Sequence, residues 1–154
     1  MNGGDWGLGG GDDAADVVAE PSVGYRTAEI RSFRDLDVWK DAVALAQVVY
    51  EETRQFPDDE RFGLTSQLRR ASVSIASNVA EGWGRNSRKD YVRFLYVARG
   101  SLFEVATQVE IAGRVGLLTP EQAERIQRRG ATCGKRLSRL IASLKRLQSP
   151  PPNP

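Results

Sequence analysis

Between Asp37 and Leu147 apolar residues recur every three or four positions, and three short stretches interrupt them: FPDD at 56–59, GWGRNS at 82–87 and GLLTP at 116–120. That spacing is the 3.6-residue period of an α-helix with one apolar face, and no segment alternates convincingly as a half-buried strand does. Short connections return each helix alongside the one before it, so four such segments predict an all-α fold, an antiparallel up-and-down four-helix bundle over 32–148.

The helix ends follow from local chemistry. The first helix is expected from Asp37 to Phe56, because the residue before Pro57 is pushed out of the helical region; Val38, Ala42, Leu45, Ala46, Val49 and Phe56 share a side. The second is expected from Asp58 or Asp59, whose acids suit a positive N-terminal end, to Glu81, before Gly82 and Gly84. Its apolar arc is Leu64, Leu68, Ala71, Ile75 and Val79. The third opens with Ser87 and Asp90 as a capping-box-like pair and ends near Arg114, with Tyr91, Phe94, Leu95, Ala98, Leu102, Val105 and Val109 facing inward. For the fourth, Thr119 is the cap, Pro120 the first helical residue and Gln122 the closing side chain. It is expected to reach Leu147 and to bury Ile126, Cys133, Leu137, Leu140, Ile141, Leu144 and Leu147.

Several chemistries are excluded. There is no histidine, so imidazole acid–base relays, Glu-x-x-His di-iron centres and most zinc sites are unavailable to the chain, and no metal or cofactor is expected. The lone Cys133 rules out an intramolecular disulfide. GLGGGDD at 7–13 has no flanking strand and reads as linker, not as a phosphate-cradling loop. A carboxylate site on Glu81 or Glu104 is the weakest of the readings, and the chain is expected not to be an enzyme. The start, MNGGDWGLGGGDDAAD, is acidic and glycine-rich where a signal peptide needs a basic patch and an apolar run, which predicts a soluble, cytoplasmic protein with no membrane contact. Residues 1–31 are expected to be a disordered acidic tail and 149–154 a disordered proline-rich end.

The net charge of +2 conceals an asymmetry. Residues 1–31 hold six acids and two bases, and residues 125–154 hold eight bases and no acid. On the fourth helix Arg125, Arg128, Arg129, Lys135, Arg136, Arg139 and Arg146 share an arc beside the apolar one, and Lys145 stands apart. Arginine's planar fork suits phosphate oxygens, so these seven are the candidate contacts to an RNA or DNA backbone.

The second helix carries Gln67, Arg70, Ser74, Asn78 and Glu81 immediately beside its apolar arc, and the third has a matching edge of Ser101, Glu104 and Gln108. The two stripes are expected to meet as a structural polar seam that fixes helix register, with Arg70 paired to Glu104. Val73, Ala76 and Ala80 on the second helix, with Val92, Tyr96, Phe103 and Thr107 on the third, form further faces that one bundle does not need to bury. Val73, Ala76, Ala80, Tyr96 and Phe103 are therefore the candidate interface of a homo-oligomer, which the family resemblance that follows implies to be ring-like.

The runs FRDLDVWKDA at 33–42, FPDDERFGLTSQLRRASVSIASNVAEGWGR at 56–85 and FLYVARGSLFEVATQ at 94–108 resemble the four-helix-bundle proteins encoded within intervening sequences of bacterial 23S rRNA genes, over roughly residues 33–147. The family-typical residues fall on Gln67, Arg70, Ser74, Asn78, Glu81, Gly82, Arg99, Gly100, Ser101 and Glu104. The resemblance implies a homopentamer, and it extends to the structurally similar accessory variability protein of diversity-generating retroelements, a basic pentamer that partners a reverse transcriptase and its template RNA. Function is then expected to be that of a non-enzymatic nucleic-acid-binding scaffold. The alternative is a protein adaptor that docks a reverse transcriptase or another partner without touching nucleic acid.

Overall fold

The computed structural model describes Trp6 and residues 29–147. Among these, all regular structure is helical: α1 (Asp37–Thr53), α2 (Leu64–Trp83), α3 (Arg88–Arg114) and α4 (Pro120–Arg146), with single 3₁₀ turns at Phe33–Asp35 and Asp58–Glu60. The expected disordered tail and proline-rich end lie outside the described residues, apart from Trp6 and residues 29–31.

The helix starts are set by side chains that satisfy otherwise orphaned amides. Thr119 Oγ1 accepts from Gln122 N at 3.2 Å while Thr119 N donates to Gln122 Oε1 at 2.9 Å, so the α4 capping box is complete. At α3 half of the expected pair forms: Ser87 Oγ accepts from Asp90 N, and the Asp90 carboxylate turns to Arg93 at 3.7 Å. The second helix begins later than its acids suggest. Asp58–Glu60 forms a separate turn, and Glu60 reaches forward so that Oε2 accepts from Leu64 N at 3.0 Å. This acid-rich turn thus caps the helix that follows without belonging to it. α3 ends where Gly116 takes φ +79°, a left-handed conformation that glycine adopts without strain.

Pairs of contacts establish the direction of packing. Arg69 Nε donates to Thr53 Oγ1 at 2.9 Å between the start of α2 and the end of α1. Ser74 and Ser101 hydroxyls lie 2.9 Å apart between α2 and α3, and Gly82 near the end of α2 abuts Tyr91 near the start of α3. Arg88 reaches the carbonyl of Leu147, joining the start of α3 to the end of α4. All neighbours therefore run antiparallel. Each helix packs on its neighbours in sequence, α1 also packs on α4, and the diagonal pairs stay apart.

The core is the expected one with few changes. Leu45, Leu68, Ile75, Leu95, Leu102, Ile126 and Leu137 are fully buried, each contributing about 1.5–3 kcal/mol of apolar burial against about 1 kcal/mol for a helix cap. Packing therefore decides the fold and the caps decide where helices begin. Leu147, expected inside, is 58% exposed because α4 ends at Arg146. Gly82 is required by contact, since a Cβ there would sit 2.8 Å from Tyr91 Cδ2 and 3.0 Å from Phe94 Cβ.

Burial also shifts two acids in the core. The Cys133 thiol is pushed up to about 12 from an ordinary 9.0 by burial, with the nearby Asp41 carboxylate adding to the rise. Burial pushes the Tyr91 phenol from 10.0 to about 12. Both groups hold their protons more tightly when folded, so the stability they contribute is complete below the unfolded value and is lost as pH rises towards the folded one. The urea midpoint should therefore fall steadily between about pH 9 and pH 11, with a shallower fall in a Cys133→Ala variant. At pH 8 the native thiol should react with a disulfide reagent only at the rate at which the bundle opens, a rate that sub-denaturing urea should raise.

Candidate nucleic-acid interface

All seven predicted cations of α4 are exposed, yet they do not form one uniform stripe. Arg125, at the first turns of α4, packs beside the end of α1: its Nη1 is hydrogen-bonded to Glu52 Oε1 and its Nη2 lies 3.5 Å from Glu51 Oε2. Arg136 sits three turns on and meets the start of α1, with Nη1 3.3 Å from Asp37 Oδ2 and Nε 3.1 Å from Asp41 Oδ2. The second of these approaches is too misaligned to be a hydrogen bond. The Asp41 carboxyl nonetheless stays above its ordinary range, because burial and the like charge of Asp37 outweigh Arg136 and Arg129. Arg128 pairs with Glu124 one turn back at 2.9 Å. Among the described residues Arg129, Lys135, Arg139 and Arg146 make no ion pair. The expectation that no acid on α4 after Glu124 neutralises its arginines is correct for α4 itself, and it missed that α1 supplies four.

The two kinds of cation have different duties. Glu52 is 4% exposed, so removing its guanidinium would leave a carboxylate with little access to water. Arg139 has no such dependent.

The polar seam is realised at its centre. Ser74 and Ser101 hydroxyls share a hydrogen bond, and Asn78 Nδ2 donates to Ser74 O at 2.8 Å and Oγ at 3.0 Å. Towards the ends the stripe turns to solvent: Gln67, Arg70, Glu81 and Glu104 are exposed. The expected Arg70–Glu104 pair does not form, and Glu81 pairs with Arg85, just past the end of α2, at 2.5 Å. The physical reason is position on the wheel. Arg70 and Glu104 lie on the outward side of the seam, where water solvates each charge and no buried partner is required.

The candidate interface residues fall in two places. Val73, Ala76 and Ala80 share the side of α2 that carries Arg69, which faces α1. Tyr96 is on the α4 side of α3, where Lys145 Nζ donates to its hydroxyl at 3.1 Å and Arg99 stacks 4.7 Å from its ring centre. By helical phase Phe103 follows Tyr96 by two turns on that side. Val73 is 43% exposed, Tyr96 36% and Phe103 44%, so apolar surface is present on both flanks of the seam and the five do not make one patch.

The structure defines the class first: a four-helix bundle whose last helix bears the outward cations and whose middle pair carries a hydrogen-bonded serine–asparagine seam. The sequence model for the 23S rRNA-intervening sequence protein matches residues 34–139, and the chain belongs to that family. The bundle is similar in fold to the crystal structure of a protein of unknown function from the S23 ribosomal protein family of Bacteroides thetaiotaomicron. The TM-score is 0.61, with 24% identity, covering 68% of this chain and 97% of that one. No curated protein matches the chain. No helix among the described residues is long and apolar enough to cross a membrane.

The division of cations predicts a division of effects. Arg125→Gln should destabilise the bundle by about 1–3 kcal/mol in urea titrations, below the ~3–5 of a fully buried pair because Arg125 is itself half-exposed. Arg139→Gln should stay within about 0.5 kcal/mol of the parent. Equal effects would mean that the α1–α4 pairs carry no stability.

Proposed function

We propose that the chain is a non-enzymatic nucleic-acid-binding scaffold that grips phosphate backbones through α4, chiefly with Arg129, Lys135, Arg139 and Arg146. The observation that carries the reading is the exposure of these four cations without an ion pair among the described residues, on a helix whose other arginines are engaged. Membership of the 23S rRNA-intervening sequence family supports RNA over DNA as the natural polymer. Contacts to phosphate position a polymer without reading its sequence, so binding is expected to be weakly selective and strongly dependent on salt. Arg125, Arg128 and Arg136 contribute less, because contact with phosphate would first cost each its carboxylate partner.

A plot of log K against log salt, from fluorescence anisotropy with a duplex RNA and a duplex DNA, tests this. Each phosphate neutralised lowers log K by roughly 0.7–0.9 per decade of salt. Replacing Arg129, Lys135, Arg139 and Arg146 together with glutamine should flatten the slope and weaken both ligands, with helix content unchanged. A parent that binds neither at low salt, or a quadruple variant that binds like the parent, would transfer the function to a protein-directed adaptor. The exposed apolar residues beside the seam are what favour that second reading, and a reverse transcriptase is its expected partner by resemblance to retroelement accessory proteins.

We further propose that those flanks, with Val73, Ala76 and Ala80 on one side and Tyr96 and Phe103 on the other, join copies head to tail. Two different patches closing on each other generate a ring, five-membered by the same resemblance. Light scattering on a gel-filtered sample should give a mass of several chains, and Val73→Glu or Phe103→Glu should reduce it to one. A monodisperse monomer at micromolar concentration would remove the ring.

A further inference from the structure

Trp6 is 8% exposed and belongs to the same buried cluster as Leu102 and Leu137. Its indole lies over α4 at Gly130 and its main-chain carbonyl lies over Gly134: a Cβ added at the first would collide with the ring, and at the second with Trp6 O. Gly134 also brings the backbone close to Leu102 of α3, 3.3 Å from where its Cβ would be. The slot continues as an open cleft between α3 and α4, lined beside Trp6 by Ala106, Thr107, Glu110, Ile111, Arg114 and Gln127. Both glycines are buried within a helix, where glycine is the poorest ordinary helix former. Their use at these two positions is to make room.

We propose that the α3–α4 groove over Gly130 and Gly134 is a binding slot for a tryptophan-bearing peptide, and that its ligand is the N-terminal segment of this same chain, held through Trp6. The inference is independent of nucleic-acid binding. An indole offers a large rigid surface with few torsions to freeze, which suits it to anchoring a segment that has little else to bury. The sequence around it, GGDWGLGG, has glycines on both sides, so few neighbouring side chains would compete with the indole for the slot. Twenty-two residues separate Trp6 from Glu29 at the edge of the bundle. A tether of that kind presents its ligand at an effective concentration on the order of 1 mM, so an intrinsic Kd of about 0.1 mM fills the slot to about 90%.

The test uses the full chain carrying Trp6→Ala and a fluorescein-labelled peptide of residues 1–10, followed by anisotropy. The peptide should bind this variant with a Kd of about 0.1 mM, bind the parent about tenfold more weakly because its slot is filled, and lose binding when its own tryptophan is replaced by alanine. Gly130→Ala supplies a second arm that does not depend on the variant's folding. In the parent it should lower Tm by about 2–4 °C, because the new methyl displaces the indole, whereas in the Trp6→Ala background it should raise Tm, as replacing a helical glycine does where a Cβ has room. A peptide that fails to bind the Trp6→Ala chain, or a Gly130→Ala change that raises Tm in the parent, overturns the slot. If Trp6→Ala lowers the assembly state in light scattering, the indole serves a neighbouring copy and the assignment to the same chain is overturned.

Discussion

Burial of the apolar arc of α4 between α1 and α3 is the contact on which the other packings depend. Ile126, Cys133, Leu137 and Ile141 fill the space that α1 and α3 leave open, and without them the inner faces of both neighbours would meet water. At about 1.5–3 kcal/mol for each large side chain, that burial outweighs every polar contact between the same helices. The contact is also the least local in the bundle, since Glu52 and Arg125 are 73 residues apart. It is therefore the packing whose loop-closure entropy is largest, and it needs the largest apolar return.

Once α4 lies against α1, the acids of α1 sort the arginines of α4. Those on the α1 side meet Glu51, Glu52, Asp37 and Asp41 and hold the two helices in register. Those turned outward keep their charge for solvent or for a partner. A single run of basic residues in the sequence thus becomes two populations, one that acts on stability and one that is open to an anionic ligand.

The family signature divides in a similar way. Ser74, Asn78 and Ser101 form a satisfied hydrogen-bonded cluster between α2 and α3, and Gly82 is held by the rings that follow it in α3. Both are packing duties at the closest approach of two helices. Gln67, Arg70, Glu81 and Glu104 continue the same stripe into water, where burial gives them no structural task. The signature therefore mixes residues that hold α2 to α3 with residues displayed on the surface that this contact creates.

The helices, their caps and their apolar faces were legible in the sequence, because each rests on interactions within one or two turns. Thr119, Pro120 and Gln122 determine the start of α4 wherever it packs, and the period of three to four determines which side chains turn inward. The delayed start of α2 was not legible, since it depended on whether Glu60 would extend the helix or cap it. The partners of Arg125 and Arg136 were invisible for a stronger reason: charges on one helix do not reveal which helix will face them. Trp6 stood in a tail with no period, and its signal was indirect, two glycines on the buried side of an otherwise strong helix. Local chemistry decided the elements, whereas the free arginines, the unformed Arg70–Glu104 pair and the docked indole were decided by which surfaces the closed bundle brought within a few ångströms of each other.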